Sequence, residues 1–305
     1  MSGRFLNQRV APCPLEVRGS AATWVDGRLY QWLSTQHAQG VKGPIAAANG
    51  VEPDVVRVIT PDVGGAFGAK IGTYGEEMLL GPISKALGRP VRWRETRSES
   101  MMNLGHGRAQ LQYVTIGGTR EGKVTHFQLH LLQDAGACAD VGGVLGFAMT
   151  RPMVSAVYDI PNVECRATTV LTNTTPTVPY RGAGRPEATA AAERAMDLFA
   201  AEIGKDAAEV RRINLIPKFL EPHATAIGHT YDVGDFEGAL DKALEAAGYA
   251  DLRAEQARRR EAGDDKQLGI GVSVYVEITG GVDPMGEAAK IEVQDDGTAL
   301  VDNEG

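Results

Sequence analysis

The sequence predicts a mixed α and β fold of the α+β class. An alternating run at 22–33 surrounds Asp26-Gly27, which is a strong signal for a β-hairpin. The second half instead carries apolar residues at helical spacing, as in the stripe of Ala192, Met196 and Phe199 that ends at Ile203. The chain has 305 residues, 43% of them hydrophobic and 23% charged, which is typical of a globular protein of one or two domains.

The first half alternates between predicted helices and strands. After the hairpin we expect a helix at 37–48, a strand at 55–60 and a helix that begins near Tyr74. Pro82 lies inside this last helix and is expected to kink or split it, since proline lacks the backbone donor. Two further strands are predicted at 91–94 and 124–132.

The second half is richer in helix signals. Pro186 suits the first turn of a helix that ends at Gly204, and Asp206 is the expected N-cap of the next, with Glu209 as its capping-box partner. Prolines and glycines interrupt the pattern at 217–234, so we predict two domains, at 1–217 and 234–305. The remaining predicted elements are a helix capped by Asp235, a charged helix at 251–262, and strands at 268–278, 288–293 and 298–302.

Charge and cysteine usage narrow the possible functions. The net charge of −8 argues against nucleic acid or an anionic membrane surface as partner, and no segment reads as a membrane span or a secretion signal. A cytoplasmic location is therefore expected. Cys13, Cys138 and Cys165 are too far apart for an iron–sulfur or structural zinc motif. His126 and His130 would share one strand face, but nothing nearby completes a metal site.

The segment Pro61–Lys70 is a glycine loop between a predicted strand and a predicted helix. Gly64, Gly65 and Gly68 allow a sharp turn and a close backbone approach to an anion, although a plain turn between elements explains them equally well. Lys70 is one residue too late for a P-loop, and the glycine spacing does not match a dinucleotide-binding fingerprint. The loop therefore suits an anionic cofactor that is held in neither standard mode.

A second glycine loop spans 178–187 and contains Arg181. This arginine lies between Tyr180 and Gly182, just before the helix predicted from Pro186. A guanidinium fixed near a helix N-terminus is well placed to stabilise an oxyanion or a developing negative charge. Taken alone, the segment is more typical of a helix-entry loop with surface arginines. Its pairing with the first glycine loop favours a functional site.

Together these motifs resemble the molybdenum-binding large subunit of the xanthine oxidase, aldehyde oxidoreductase and carbon-monoxide-dehydrogenase-like family. The segment 7–19 is similar to the family's entry into its cofactor domain, and Leu33-Ser34-Thr35-Gln36 is similar to its Ser-Thr-Gln element. The resemblance runs along nearly the whole chain. It implies the molybdopterin-binding fold of the molybdenum hydroxylases, incomplete at both ends.

The resemblance also implies roles for individual residues. Gln36 would hydrogen-bond an oxo ligand of molybdenum, and Gly65, Phe67 and Gly68 would form the loop beside the metal. Arg181 would contact both cofactor and substrate and stabilise charge during catalysis. The molybdenum would be held by the pterin, which would be in its cytosine dinucleotide form. No side chain would ligate the metal. The implied activity is oxidation of an aldehyde or heteroaromatic C–H bond with water-derived oxygen. Electrons would pass to 2Fe-2S and FAD groups on partner subunits.

Departures from the family pattern bear on the substrate. Ile71 and Ala183 stand where xanthine-type enzymes carry the glutamate and the phenylalanine that hold the purine, and Arg151 is only the nearest match to their second pocket arginine. Gly182 stands where copper-dependent carbon monoxide dehydrogenases carry cysteine. Neither xanthine nor a molybdenum–copper site is therefore expected.

We also expect a fragment of a longer subunit. The family's general-base glutamate and its Gly-Gln-Gly pterin segment would lie in the missing C-terminal half, so the chain alone would be inactive. Two other classes stay open at this point: a remnant that only contacts partner subunits, and a nucleotide-binding protein.

Overall fold

The computed structural model describes residues 1–278 and 289–303. The strands of this part of the chain are β1 (Ser2–Asn7), β2 (Gly19–Val25), β3 (Arg28–Leu33), β4 (Val56–Ile59), β5 (Val91–Arg94), β6 (Gln110–Gly118), β7 (Val124–Asp134), β8 (Asn162–Val170), β9 (His223–Ala224), β10 (Thr230–Tyr231), β11 (Ala289–Val293) and β12 (Ala299–Asn303). The helices are α1 (Ala38–Asn49), α2 (Gly75–Leu87), α3 (Arg97–Asn103), α4 (Arg185–Ile203), α5 (Ala207–Asn214), α6 (Phe236–Ala246) and α7 (Tyr249–Ala262). The predicted mixed α and β class is confirmed.

The chain divides into two compact units that interleave along the sequence. The large unit contains residues 1–12, 67–69 and 101–276, and the small unit contains 13–66, 70–100 and the described residues from 277 onwards. The glycine loop at 61–70 therefore runs from the small unit into the large one and back. The predicted division into domains at 1–217 and 234–305 stays a prediction.

A four-stranded sheet forms the centre of the large unit, in the order β1-β6-β7-β8. The first two pairings are antiparallel and β7–β8 is parallel. Helix α4 packs against β1 and β6, and its stripe of Ala192, Met196 and Phe199 is buried as predicted, with Ile203 partly buried beside it. The burial of this stripe against the sheet places the start of α4, and the loop before it, at a fixed point of the unit.

The small unit has its own four-stranded sheet, in the order β4-β3-β2-β5. The hairpin β2–β3 turns at Asp26-Gly27 as predicted, because Gly27 adopts the left-handed φ of +79° that this turn requires. Helices α1 and α2 cover one face and bury Leu29, Ile45 and Leu80. Helix α2 is continuous through Pro82, so Pro82 does not split it.

The predicted strand at 268–278 is wrong, because these residues form no regular strand. The alternation that suggested it is nevertheless real, since Val272, Val274 and Val276 pack against the core of the large unit. The backbone N–H of Val274 donates to Glu193 Oε2 over 3.0 Å and not to a neighbouring strand. Among the described residues of the C-terminal hairpin, β11 and β12 confirm the other two predicted strands; residue 288 lies outside the described residues.

The two predicted N-caps form. The side chain of Asp206 accepts from the N–H groups of Ala208 and Glu209, and that of Asp235 accepts from Gly238. The predicted capping box does not form, because the Glu209 side chain pairs with Lys205 over 2.9 Å and does not accept the Asp206 N–H. Strands β1, β6, β8, β9 and β10 and helix α3 are additional to the predicted elements. None of the helices in the described part of the chain combines the length and the apolar character that a membrane crossing requires.

Candidate functional site

The second glycine loop forms a tight left-handed turn before α4. Gly182, Ala183 and Gly184 have φ of +88°, +40° and +94°. Two backbone hydrogen bonds close the turn, from Ala183 N–H to Tyr180 O over 2.9 Å and from Arg185 N–H to Gly182 O over 3.2 Å. Three consecutive residues at positive φ are costly when one is alanine, and such strain is common at functional sites.

Arg181 contacts the middle of the first glycine loop within the large unit. Its backbone N–H donates to Phe67 O over 2.9 Å, and its guanidinium lies over the Phe67 ring, 4.8 Å from the ring centre. Both side chains are exposed, Phe67 to 37%. The arginine is therefore stacked on an aromatic face while its N–H donors stay accessible.

Gly68 allows the two loops to approach each other closely. Its φ is +103°, and a Cβ at this position would lie 2.5 Å from Pro179 O. No other residue type fits here without moving the backbone. The structure thus brings together three of the predicted site residues, Phe67, Gly68 and Arg181, in the large unit.

The other two predicted residues, Gly65 and Gln36, belong to the small unit. Gly65 has a φ of +101°, in the left-handed region. Gln36 is exposed, and its backbone N–H donates to Lys70 O over 2.9 Å while its Oε1 accepts from Lys70 N–H over 3.3 Å. The Ser-Thr-Gln element is therefore tied to the end of the glycine loop, as Thr35 Oγ1 also donates to Lys70 O over 2.9 Å.

Lys70 holds the small-unit part of the glycine loop in place through the hydrogen bonds of its buried ammonium group. It is 1% exposed, and its Nζ donates to Glu16 Oε2 over 2.9 Å, Glu16 O over 3.1 Å and Ser34 Oγ over 2.9 Å. All three donors of the ammonium are thereby satisfied by the protein. Lys70 is consequently a structural residue, which argues against a phosphate-binding role of the P-loop kind.

Glu16 completes this arrangement at the start of the loop. It accepts the backbone N–H of Gly64 over 2.9 Å, and its own N–H donates to Gly64 O over 3.0 Å. Burial raises the pKa of the Glu16 carboxyl, but hydrogen bonds from Ser34, Lys70 and Gly64 outweigh this and hold the pKa below its usual value. Sequence reasoning missed Glu16 because it lies 54 residues from Lys70.

The structure also describes the three residues that differ from, or only approach, the xanthine-type pattern. Ile71 is 39% exposed, and Ala183 lies at the positive φ described above. The guanidinium of Arg151 lies over the Phe147 ring at 5.7 Å from its centre. The cysteines are all free thiols, and the described residues contain no group of three or more histidine, cysteine or acidic side chains that could hold a metal ion.

Comparison with known proteins identifies the family. The model of the molybdopterin cofactor-binding domain matches residues 1–215. The carbon monoxide dehydrogenase large chain of Hydrogenophaga pseudoflava is 35% identical over 280 residues, which cover 89% of this chain and 35% of that protein. The nicotine 6-hydroxylase large subunit of Paenarthrobacter nicotinovorans is 35% identical over 277 residues, which cover 89% of this chain and 34% of that protein.

A solved structure gives the same result. Quinoline 2-oxidoreductase from Pseudomonas putida 86 superposes with a TM-score of 0.90 at 29% identity, covering 99% of this chain and 40% of that chain. The chain thus spans well under half the length of these relatives. The resemblance drawn from the motifs around Phe67 and Arg181 is confirmed, and the chain belongs to the molybdopterin cofactor-binding domain family of the molybdenum hydroxylases.

Proposed function

We propose that the chain is the molybdenum-binding part of a molybdenum hydroxylase that oxidises an aldehyde or heteroaromatic C–H bond with water-derived oxygen. The observation that carries the proposal is the contact of the two glycine loops, with the exposed guanidinium of Arg181 stacked on Phe67. A cation held rigidly between two loops of positive φ is suited to an oxygen-rich anionic group. Family membership supplies the identity of that group.

The residues present fit a molybdopterin cofactor. A Cβ at Gly68 would lie 2.5 Å from Pro179 O, so the backbones of the two loops are in direct contact next to Arg181. In this proposal Gln36, Gly65, Phe67 and Gly68 hold the cofactor, and Arg181 contacts it and the substrate. When bound, the cofactor supplies the redox chemistry. Arg181 contributes a fixed positive charge where negative charge develops, which is the usual electrostatic role of such a group.

Substrate and partners follow from the same proposal. Ile71, Ala183 and Gly182 argue against xanthine and against a molybdenum–copper centre. We infer a cytosine dinucleotide form of the cofactor, with 2Fe-2S and FAD groups on partner subunits and a general-base glutamate outside these 305 residues. The large-chain and large-subunit names of the two relatives support an assembly of several chains. A cytoplasmic location stays a prediction.

Cofactor analysis tests the proposal. The chain would be produced together with the products of its neighbouring genes in a host that makes molybdopterin, then purified as the complex. We expect stoichiometric molybdenum by elemental analysis, a fluorescent pterin after oxidation, and release of CMP on acid hydrolysis. A folded complex without molybdenum and pterin would contradict the proposal and favour a remnant that only contacts partners. Tight ATP or NAD binding that is lost in Gly68→Val would favour a nucleotide-binding protein.

A further inference from the structure

Arg108 is positioned to hold the backbone that carries Arg181. Its Nη1 donates to Tyr180 O over 2.7 Å and its Nη2 donates to Arg181 O over 2.7 Å. The same guanidinium lies over the Tyr180 ring, 4.7 Å from the ring centre. Two parallel donors from one planar group fix both the position and the tilt of the two peptide units, which a single hydrogen bond cannot do.

Glu187 lies behind this guanidinium. It is 1% exposed, and its Oε1 is 3.6 Å from Arg108 Nη1. Burial raises the pKa of this carboxyl, and the backbone groups of Gly184 and Glu187 act to lower it, so the carboxyl lies at the first turn of α4. Its second oxygen, Oε2, has no hydrogen-bond partner among the described residues. Burying a carboxylate that is only partly satisfied costs stability, so its presence here calls for an explanation.

The segment between α3 and β6, which carries Arg108, is itself packed against the loop. A Cβ at Gly107 would lie 2.3 Å from Tyr180 Cβ, and one at Gly105 would lie 2.2 Å from Val178 Cγ1. Gln133 Nε2 donates to Arg108 O over 2.9 Å. Arg108 adopts a φ of +66°, which is unusual for a residue with a side chain. The guanidinium is therefore delivered by a backbone that has little freedom to move.

We propose that Arg108 and Glu187 are positioning residues that fix the peptide units of Tyr180 and Arg181 and thereby aim the Arg181 guanidinium. This inference rests on the proposed role of Arg181. Arg108 supplies the two donors, and Glu187 holds the guanidinium in the plane that the two carbonyl groups require. Neither residue contacts the reacting groups in this account. Their effect is exerted through the loop.

Amide hydrogen exchange of the chain, without cofactor, tests the inference directly. The reporters are the N–H groups of Arg181, Ala183 and Arg185, whose backbone acceptors the structure defines. In Arg108→Gln we expect about tenfold faster exchange at these amides, the order expected when a charge-assisted hydrogen bond is lost. Exchange in β7 should not change.

Two further variants separate positioning from general stability. Arg108→Lys keeps the charge opposite Glu187 but not the planar pair of donors, so loop exchange should rise nearly as much while the urea midpoint stays close to that of the parent chain. Glu187→Gln keeps the size of the side chain but removes the charge, and we expect roughly threefold faster exchange, since a neutral acceptor binds the guanidinium less strongly. Arg151→Gln, which removes another arginine stacked on a ring in the same unit, is the matched control and should leave the loop unchanged.

Parent-like loop exchange in Arg108→Lys would overturn the inference, as would equal acceleration throughout the large unit in both Arg108 variants. Should Arg108→Gln fail to fold, Arg108→Lys and Glu187→Gln decide the question. The measurement requires no molybdenum. Unchanged loop exchange would therefore refute the positioning role while leaving the proposed function intact. A complex that lacks the cofactor would refute the proposed function but not the finding that Arg108 holds the loop.

Discussion

The first turns of α2 and α4 use the same local device in two different units. Each helix follows a glycine-rich loop, and each carries a buried glutamate at its third position, Glu77 in α2 and Glu187 in α4. Glu77 Oε2 accepts the N–H of Tyr74 over 2.9 Å, and the Glu187 carboxyl lies beside the backbone of Gly184, which acts to lower its pKa. In both, burial raises the pKa of the carboxyl. In α2 the hydrogen bond satisfies a helix donor that would otherwise lack a partner.

The two helix starts differ in what the arginine beside each glutamate contacts. Arg18 is fully buried, donates through Nε and Nη2 to Glu95 Oε2 over 3.0 and 2.8 Å, and lies 4.0 Å over the Tyr74 ring. Arg108 instead donates to the carbonyl groups of an exposed loop. A similar helix start therefore stabilises the core in the small unit and holds a candidate functional side chain in the large one.

Removal of Arg18 is expected to have the largest effect. Arg18→Ala leaves the buried carboxylate of Glu95 without its cationic partner, and breaking such a pair costs about 3–5 kcal/mol. Arg108→Ala should cost less, about 1–3 kcal/mol, because Tyr180 O and Arg181 O are neutral and burial already raises the pKa of Glu187, which favours its neutral form once Arg108 is removed. Urea unfolding of both variants checks the order, and equal losses would contradict the distinction between the two helix starts.

Glu77→Gln tests the buried carboxyl through the pH dependence of stability. Burial raises the pKa of Glu77 from 4.5 to about 7, against the opposing effects of the Tyr74 N–H and Arg18. The folded state thus binds the proton more tightly than the unfolded state. This contribution is complete below pH 4.5 and is lost as the pH rises through about 7. It amounts to on the order of 3 kcal/mol.

The glutamine variant should lack this decline. Free energies of unfolding at a pH below 4.5 and at a pH above 7 provide the measurement. The difference in stability between the variant and the parent chain should shift in favour of the variant as the pH rises. A difference that does not change with pH would show that the carboxyl titrates normally.

A smaller effect is expected where the loops meet. Gly68→Ala places a Cβ 2.5 Å from Pro179 O at a φ of +103°, whereas Gly228→Ala meets nothing within 4 Å at a φ of +87°. Both variants carry the cost of a left-handed residue, so their difference reports the contact alone. We expect Gly68→Ala to lose about 1–3 kcal/mol more, the usual range for overpacking. Equal losses would show that the loop before α4 yields to the added methyl group.

Sequence reasoning was most accurate where the signal is local. The hairpin at Asp26-Gly27, the cap at Asp206 and the buried stripe of α4 each depend on a few neighbouring residues and are confirmed. The strand at 268–278 failed because alternation shows which side chains are buried but not which backbone supplies a hydrogen-bonding partner. Val274 finds its partner in a carboxylate of α4, which no local pattern indicates.

The supports of the candidate site could not be predicted for the same reason. Glu16 and Lys70 are 54 residues apart, and Arg108 and the loop it contacts are 72 residues apart. The glycines of both loops were visible in the sequence because close backbone approach restricts the residue type. Their partners were not, since arginine, lysine and glutamate are ordinarily surface residues and nothing in their local sequence marks them as buried.

The most direct test of the proposed role of Arg181 is turnover per molybdenum in the assembled enzyme that carries Arg181→Ala. We expect turnover to fall about a hundredfold, the scale of losing one preorganised charge-stabilising group. Molybdenum and pterin content should stay at the parent level, because the loops keep their backbone contacts. Arg166→Ala, which removes an exposed arginine paired with Glu164, should change neither quantity. Equal loss of turnover and molybdenum would contradict this account and assign Arg181 a structural role.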